Sequence, residues 1–479
     1  MFWDIEQHAG SGRSLFDGAS GQEYSYARLL QSVQILEGAF RADRKQMLAL
    51  FCDNSVASVA AYLAGLRCGH AVLLANADMD PGLQRHLIDQ YAPELVVHAA
   101  APADIPAGYA PKTEATGLTV LHREQPVAEA IHPDLAVLLS TSGSTGSPKL
   151  IRLSGRNLQA NAESIAEYLG IGPDENAIAS LPFSYSYGLS VLNSHVLKGA
   201  GVVCTNASVM TREFWTLFNG RECTSFAGVP FTYAMLERLR FERMELPSLR
   251  TFTQAGGRLD AGKIQWFAEV AQRKNARFFV MYGQTEATAR IAYVPWPRLP
   301  EKIGSVGIAI PRGRIRIVAD GGAEAGPGQP GEVVYEGPNV MMGYAESRKC
   351  LAKGDELHGR LATGDMGHVD QEGFLYITGR MKRFLKLFGL RINLDDVEIM
   401  LEKITGCQAA CVGTDDALHA LLATEDTDLP RRAKEEIAGL YRLHHSVVHV
   451  HPVSAMPVTA SGKKDYPRIE REYGLQERD

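Results

Sequence analysis

The chain has 479 residues, of which 45% are hydrophobic and 22% are charged, and its formal net charge is −6. This length exceeds what a single hydrophobic core usually supports, so we expect at least two domains. The slight negative charge excludes the basic excess that is typical of proteins that bind nucleic acids or anionic membranes.

The cysteines and the amino-terminal sequence indicate the cellular compartment of the protein. The seven cysteines form no CxxC pair, and an odd number does not complete a disulfide framework. The first stretch, MFWDIEQHAGSGR, carries acidic residues and no apolar run, so it does not have the pattern of a signal peptide or an anchor. No later stretch reaches about 18 consecutive apolar residues. We therefore expect a soluble, cytoplasmic protein without a membrane span.

Short β-rich runs alternate with helical patterns over the first two thirds of the chain. MLALFC at 47–52, LAVLLS at 135–140 and FFVMYG at 278–283 have the continuous apolar character of buried strands. Stretches such as SVASVAAYLAGLRCG and GRNLQANAESIAEYLG lie between such runs and are typical of helices. This alternation predicts βαβ units and largely parallel sheets.

The composition changes twice towards the carboxyl terminus. From about residue 303 the chain is rich in Gly, Pro and short β runs, which predicts a small antiparallel sheet or barrel lobe. The last hundred or so residues mix helix and strand patterns and indicate a compact α+β cap. The predicted fold class is therefore α/β, with a large N-terminal domain of βαβ subdomains plus a small β lobe over 1–379 and a small mobile α+β C-terminal domain over 380–479.

A basic segment marks the predicted boundary. Residues 380–391 contain no acidic residue, and the pattern is compatible with a solvated charged face or with a hinge and an anion-facing loop. The basic residues are Arg380, Lys382, Arg383, Lys386 and Arg391.

The segment TSGSTGSPK at 141–149 predicts an anion site. Backbone N–H groups of a glycine-rich loop, together with Ser and Thr hydroxyls, can surround phosphate. The segment lacks the G-x-x-x-x-G-K-[ST] order of a Walker A loop, and no G-x-G-x-x-G follows an early strand, which disfavours P-loop NTPases and nicotinamide or flavin dinucleotide enzymes. The candidate phosphate-binding residues are Thr141, Ser142, Gly143, Ser144, Thr145, Gly146 and Lys149.

Four separated segments resemble the core motifs of the adenylate-forming superfamily, which includes acyl-CoA synthetases, luciferases and adenylation domains. They are TSGSTGSPK at 141, MYGQTEAT at 281, LATGDMGHVDQEGFLYITGRMKRFLKLFGLRIN at 361 and PVTASGKKDY at 457. LPFSYSYGLS, TFTQAGGRL and GEVVYEGPNVMMGY resemble intermediate motifs, so the resemblance extends from about residue 25 to the carboxyl terminus. The chain is most similar to a stand-alone AMP-forming acyl-CoA synthetase.

The resemblance implies a two-step ligase reaction. A carboxylate attacks the α-phosphate of MgATP to give an acyl-adenylate and pyrophosphate, and a thiol then displaces AMP. The implied cofactors are ATP and Mg²⁺, with coenzyme A or the phosphopantetheine of an acyl carrier protein as the acceptor. Loading of a separate carrier protein, a non-catalytic nucleotide-binding protein and a luciferase-like oxidoreductase are the alternatives.

The resemblance also implies roles for individual residues in the adenylation step. Lys463 matches the lysine that bridges the carboxylate and the α-phosphate, whereas Lys464 is expected to be solvated. Glu286 matches the magnesium ligand and Thr285 a phosphate contact. Residues expected at the nucleoside are Tyr282 and Gly283 beside adenine, Gly256 and Gly257 at the adenine edge, and Asp365 and Arg380 at the ribose.

The second step and the acyl pocket follow from the same motifs. Lys382 matches the hinge about which the small domain rotates, and Lys386 and Gly389 then face the incoming thiol, while Arg383 and Lys386 are candidates for its phosphates. The stretch LPFSYSYGLS lacks the aspartate of amino-acid-activating relatives, which disfavours an α-amino acid. The expected pocket residues are Tyr185, Tyr187, Val191, Val229 and Gln254.

Overall fold

The computed structural model describes residues 1–99, 105–140, 149–319, 321–380, 383–387, 390–414, 417–441, 443–459 and 463–473. These residues form two compact units. The first contains the described residues within 1–314 and 336–361, and the second contains those within 315–335 and 362–479.

The strands and helices follow one another closely. The strands are β1 (Ser14–Asp17), β2 (Gln22–Ser25), β3 (Met47–Cys52), β4 (Ala71–Asn76), β5 (Leu95–His98), β6 (Tyr109–Ala115), β7 (Leu118–Arg123), β8 (Leu135–Ser140), β9 (Leu150–Ser154), β10 (Asn176–Ala179), β11 (Gly201–Cys204), β12 (Ser225–Gly228), β13 (Thr251–Gln254), β14 (Arg277–Tyr282), β15 (Ala292–Tyr293), β16 (Ile308–Ala309), β17 (Arg314–Val318), β18 (Gly331–Glu336), β19 (Gly343–Ala345), β20 (Arg360–Val369), β21 (Leu375–Arg380), β22 (Phe384–Leu387), β23 (Leu390–Asn393), β24 (Ala409–Thr414), β25 (Ala417–Ala423) and β26 (Val448–Val453). The α-helices are α1 (Tyr26–Phe40), α2 (Val56–Arg67), α3 (Pro81–Tyr91), α4 (Gly155–Leu169), α5 (Ser186–Leu197), α6 (Arg212–Gly220), α7 (Pro230–Arg238), α8 (Ala261–Arg273), α9 (Leu394–Thr405), α10 (Leu429–Leu440) and α11 (Tyr466–Glu472). Short 3-10 helices span Ile5–His8, Phe241–Arg243, Thr285–Ala287, Trp296–Glu301, Arg348–Ala352 and His445–Val447.

Two large sheets form the first unit. One has the order β16-β15-β14-β13-β12-β10-β11-β1-β2 and the other the order β19-β9-β8-β4-β3-β5-β7-β6. Neighbouring strands are parallel from β14 to β1 in the first sheet, and β5, β3, β4 and β8 are parallel in the second. The parallel pairs confirm the predicted βαβ character of this part of the chain.

Helices lie between these two sheets and join them into one core. A single buried cluster includes Leu50 and Leu74 of one sheet, Val202 of the other, and apolar residues of α1, α2, α4 and α5. The helix ends are defined by local capping: Ser154 and Asn157 form a reciprocal capping box at the start of α4, and Gly170, with φ of 65°, ends it. The cap and the terminating glycine therefore set the length of α4.

The second unit combines two small sheets and a hairpin. One sheet has the order β17-β18-β20-β21, the other the order β24-β25-β26, and β22 pairs with β23. Helices α9 and α10 contribute Val397, Leu401 and Ile437 to a core over β24 and β25, and Ile469 of α11 packs into a second cluster beside it. The predicted β lobe and the mixed α+β character of the last residues are confirmed as secondary structure.

The boundary at 380 and the mobility of the C-terminal domain stay predictions. The second unit contains residues 315–335 and 362–379 in addition to residues of the predicted C-terminal domain. Among the described residues, none of the helices combines the length and the apolar character that crossing a bilayer requires.

Candidate active site

The carboxyl edge of the parallel strands gathers the predicted residues of the first unit. β12, β13 and β14 are in parallel register, with Gly228 opposite Gln254 and Gln254 opposite Val280. Because parallel strands end at one edge of a sheet, the turns that follow them lie side by side, which is where open α/β sheets bind ligands. These turns carry Val229 after β12, Gly256 after β13 and residues 283–286 after β14.

The turn after β14 is held in an unusual backbone path. A side chain on Gly283 would place its Cβ 2.1 Å from the carbonyl oxygen of Ala289, so only glycine fits there. Thr285–Ala287 forms a 3-10 turn, and Thr288 follows it with φ of 61°. The buried amide of Asn339 donates through Nδ2 to the carbonyl oxygens of Ala287 and Arg290, both at 2.8 Å. These two hydrogen bonds hold the backbone of the turn in place.

Thr285 and Glu286 each contact a neighbouring hydroxyl. Ser186, the first residue of α5, has its Oγ 3.1 Å from Oγ1 of Thr285. Tyr344 donates its hydroxyl to Oε1 of Glu286 at 3.0 Å. Burial raises the pKa of Tyr344, and Glu286 raises it further, so this phenol stays a donor at neutral pH. Tyr282 ends β14 and is half-buried beside this turn.

The donor set of this turn fits a magnesium-bound triphosphate. Glu286 uses Oε1 for Tyr344 and makes no hydrogen bond through Oε2 to a described residue. A carboxylate oxygen is the type of ligand that Mg²⁺ prefers. Hydroxyls such as those of Thr285 and Ser186 can donate to phosphate oxygens.

The turn after β13 contains two adjacent glycines, Gly256 and Gly257. Gly256 has φ of +83°, and a Cβ there would lie 2.5 Å from the hydroxyl of Tyr185. At Gly257 a Cβ would lie 3.0 Å from the ring of Pro230. Gln254, predicted to line the acyl pocket, is buried and donates its side-chain amide to the carbonyl of Gly257 at 2.7 Å. Gly256 is half-buried and Gly257 is exposed, so part of this turn is accessible to a ligand.

We expect Gly256→Ala to destabilise the protein. A left-handed backbone costs a non-glycine residue about 1–2 kcal/mol, and the new methyl also meets the hydroxyl of Tyr185. Differential scanning fluorimetry should show a lower Tm than wild type, with partial recovery in the double variant Gly256→Ala/Tyr185→Phe. Gly38→Ala is the matched control, because a Cβ there meets nothing within 4 Å. An unchanged Tm in Gly256→Ala would contradict the packing that we describe.

An aromatic cavity lies beside the turns. Tyr185, Tyr187, Val191 and Val229 belong to one apolar cluster with Met281 and other neighbours. Tyr187 and Val191 line a cavity of about 480 Å³, counted with its solvent-open part. The structure thus brings four of the five predicted pocket residues together.

Lys149 lies immediately before β9. Its Nζ is 2.7 Å from Oε1 of Glu346, and both side chains are exposed. β9 pairs with β19, with Ile151 opposite Tyr344, and the fully buried Arg152 donates to the carbonyl of Tyr344 at 3.2 Å. This pairing positions Tyr344 for its contact with Glu286. The predicted phosphate-loop residues outside the described residues are Thr141, Ser142, Gly143, Ser144, Thr145 and Gly146.

Asp365 and Arg380 meet in the second unit. They face each other on β20 and β21, and Nε of Arg380 is 3.1 Å from Oδ1 of Asp365. The Asp365 side chain is 8% exposed and that of Arg380 is 66% exposed. The pair joins two residues that the sequence predicts at one ribose.

Lys463 is hydrogen-bonded to Thr459 in the second unit. Its carbonyl accepts a hydrogen bond from the amide of Thr459 at 2.7 Å, and its own amide donates to Oγ1 of Thr459 at 3.3 Å. Val458 and Lys464 form a β-bridge beside these bonds. The backbone of Lys463 is therefore tied to that of residues 458–459.

The expectations for Lys464 and Arg383 were wrong. Lys464 is not solvated: its Nζ lies 2.8 Å from Glu398 and 3.0 Å from Glu402. Burial alone would lower the pKa of Lys464, but the two carboxylates raise it overall. The Arg383 side chain is 12% exposed and pairs with Asp395 and Glu398, so it does not present its charge to an acceptor's phosphates.

Glu398 is the centre of this charge cluster. It is buried, and it accepts hydrogen bonds from Arg383, Lys464, the amide of Cys411 at 2.7 Å and the hydroxyl of Tyr466 at 2.9 Å. The cluster connects the residues that immediately follow Lys463 to α9 and β24. It is a structural reason for the position of Lys463 within this unit.

We expect Glu398→Ala to weaken the second unit by about 3–5 kcal/mol, because it removes the shared carboxylate of a buried ion-pair network and leaves Arg383 to Asp395 and Lys464 to Glu402. Hydrogen-exchange mass spectrometry should show faster exchange in peptides from α9 and β24. Glu435→Ala is the control: Glu435 forms an exposed i,i+4 pair with Arg431, worth about 0.3–0.5 kcal/mol. Equal exchange in both variants would contradict a central role for Glu398.

The structure describes one of the three predicted hinge and thiol-side residues. Lys382 and Gly389 lie outside the described residues, and Lys386 is placed only as a position on β22. Their roles stay predictions.

Several residues of the site were missed by the sequence reasoning. Ser186, Asn339 and Tyr344 lie inside segments that were recognised as motifs, yet nothing in their local pattern singled them out. Arg290 could have been identified from the sequence, because it is the one charged residue in the stretch ATARIAYV.

Comparison with known proteins identifies relatives along the whole chain. The sequence pattern of the AMP-binding enzyme family matches residues 3–345. Feruloyl-CoA synthase from Amycolatopsis sp. is 26% identical, with 98% of each chain covered. A 2-succinylbenzoate–CoA ligase from Bacillus licheniformis is 30% identical, with 70% of each chain covered.

A solved structure supports the same fold. O-succinylbenzoate coenzyme A synthetase from Bacillus subtilis, in complex with AMP, superposes with a TM-score of 0.77 at 23% identity, covering 97% of this chain and 96% of that one. The same synthetase has been solved with ATP and a magnesium ion, with a TM-score of 0.76. The α/β fold is thereby confirmed.

Proposed function

Because this chain belongs to the family of AMP-binding enzymes, we propose that it is an AMP-forming ligase that joins a carboxylic acid to coenzyme A. It first converts the acid and MgATP to an acyl-adenylate and pyrophosphate, and then exchanges AMP for the thiol. The observation that carries the proposal is the turn after β14, where Thr285 and Glu286 stand beside the hydroxyl of Ser186 at the carboxyl edge of the sheet.

The adenylation step requires the protein to offset the repulsion between two anions. A carboxylate and a phosphate oxygen about 4 Å apart repel each other by roughly 4 kcal/mol at an effective dielectric of 20. In our proposal Lys463 offsets this repulsion by binding oxygens of both groups as negative charge develops. Glu286 holds Mg²⁺, which neutralises the triphosphate, and Thr285 donates to phosphate.

The remaining assignments concern the nucleoside and the loop. We assign the open backbone of Gly256 and Gly257 and the ring of Tyr282 to adenine, with Gly283 permitting the turn. Asp365 and Arg380 are assigned to the ribose: the carboxylate can accept both diol protons, and the exposed guanidinium is its ion-pair partner. Residues 141–146 and Lys149 are assigned to the phosphates.

Coenzyme A is the proposed acceptor. The relatives named feruloyl-CoA synthase, 2-succinylbenzoate–CoA ligase and indoleacetate–CoA ligase each carry coenzyme A in their names. This supports coenzyme A over a carrier protein for this chain. Lys382 remains our proposed hinge, with Lys386 and Gly389 on the thiol side. The use of ATP and coenzyme A and the seven free cysteines also support a cytoplasmic location.

Lys463→Ala should lower pyrophosphate release by at least about a hundredfold, because it removes a charge that is needed as the transition state forms. The assay supplies MgATP and a panel of aryl, short-chain, medium-chain and long-chain acids. Lys403→Ala, an exposed lysine of the same unit, is the control and should stay within about twofold of wild type. Addition of coenzyme A should convert the adenylate to a thioester.

Two outcomes would contradict the proposal. If wild type binds ATP but releases no pyrophosphate with any acid, a nucleotide-binding protein without ligase activity is the better description. If pyrophosphate is released but the acyl group moves only to a carrier protein, the acceptor that we propose is wrong.

A further inference from the structure

Arg290 is a buried cation on the wall of the acyl cavity. It is 3% exposed, and it lines the cavity together with Tyr187, Val191 and Met281. Its carbonyl oxygen accepts from the amide of Asn339 at 2.8 Å, so its backbone is anchored by the same residue that holds the turn after β14. Arg290 is thus a fixed part of the cavity.

The guanidinium of Arg290 is surrounded by aromatic rings rather than by carboxylates. Its Cζ lies 4.0 Å from the centroid of the Tyr187 ring. Burial raises the pKa of Tyr168 to about 12, and the charge of Arg290 opposes that shift. Arg290 has the same opposing effect on the raised pKa values of Tyr185 and Tyr187. The charge of Arg290 therefore opposes the rise in pKa of three tyrosine hydroxyl groups.

The protein satisfies the guanidinium of Arg290 only in part: besides its contact with the Tyr187 ring, it hydrogen-bonds the hydroxyl of Tyr168. Nη1 reaches the neighbouring carbonyl of Ala289 at 3.2 Å, whereas Nε is buried without a hydrogen-bond partner. Over the ranges that the structure describes, no carboxylate lies within ion-pair distance of Arg290. Buried guanidinium groups are normally paired, because their transfer from water is unfavourable. Cation–π contact offsets only part of that loss.

The other ionisable groups on this wall are already matched. Glu175 accepts from Thr224 and lies 3.8 Å from both Arg250 and Arg277. Burial lowers the pKa of His195, which keeps that ring neutral at pH 7. A ligand in the cavity would therefore meet the charge of Arg290 without a competing anion from these side chains.

We propose that the preferred acid carries a second anionic group at the end remote from the reacting carboxylate, and that Arg290 binds it. This inference rests on the ligase function proposed above and deepens it by naming the substrate class: dicarboxylic acids. The cavity wall is mainly apolar and aromatic, with side chains such as Ile165, Leu169 and Tyr187, so it suits an aliphatic or an aryl spacer between the two charges. Tyr187, stacked on the guanidinium, keeps it oriented.

The test compares acids that differ only at the remote end. Hexanoate, 6-hydroxyhexanoate and adipate form an aliphatic series, and 3-phenylpropanoate and 3-(4-carboxyphenyl)propanoate form an aryl pair. In wild type we expect kcat/KM for pyrophosphate release to be at least about tenfold higher with the better dicarboxylate than with its uncharged counterparts. Arg290→Met should abolish this ratio, and Arg290→Lys should keep part of it.

Arg28→Met is the matched control, because Arg28 also lies over a tyrosine ring, that of Tyr24, but is exposed and does not line the cavity. It should leave the dicarboxylate preference as in wild type. An equal loss with all acids in Arg290→Met would overturn the proposal, since it would mean that Arg290 serves the reacting carboxylate or the fold. A wild-type preference for the monocarboxylates would also overturn it.

A binding measurement separates this inference from the ligase proposal. Thermal stabilisation by each acid is measured in the presence of α,β-methylene ATP, which cannot form an adenylate. The inference is supported if adipate stabilises wild type more than hexanoate does and if this difference is lost in Arg290→Met. This result supports it even if no pyrophosphate is ever released. Stabilisation that does not depend on the remote group overturns it, whatever the ligase assay shows.

Discussion

The parallel register of β12, β13 and β14 is the constraint on which the candidate site depends. Gly228, Gln254 and Val280 lie side by side in the sheet, so the turns after β12 and β13 start at the same level and β14 continues two residues further before its own turn. A shift of one residue in any of these strands would turn its side chains to the other face and displace the turn it carries. The apolar faces packed against α4 and α5 are what prevent such a shift.

Buried polar contacts convert these turns into a defined surface. Asn339 reaches the turn after β14 from a distant part of the chain, and Gln254 braces the turn after β13. Unpaired carbonyls inside a protein are costly, so each amide restricts its turn to few conformations. Gly283 and Gly256 permit backbone paths that other residues would block. The amide hydrogen bonds and the glycines together determine where Thr285 and Glu286 lie.

Buried charge is handled in opposite ways in the two units. Glu398 is surrounded by donors, and the cations around it are matched, which makes the cluster a fixed structural element. Arg290 lies among aromatic rings with its Nε unpartnered. A charge that the protein satisfies stabilises the fold, whereas one that it leaves unsatisfied favours a ligand that brings the missing partner.

The sequence by itself determined the α/β class, the strands such as β3, β8 and β14, and the superfamily motifs. Continuous apolar runs and glycine-rich turns are local patterns, and they report local structure directly. It did not reveal Ser186, Asn339 or Tyr344 as neighbours of the turn after β14, and it misjudged the exposure of Lys464 and Arg383. Only the tertiary structure decided these points, because a side chain's burial and its partners depend on residues far away along the chain, such as Glu398 for Arg383 and Lys464.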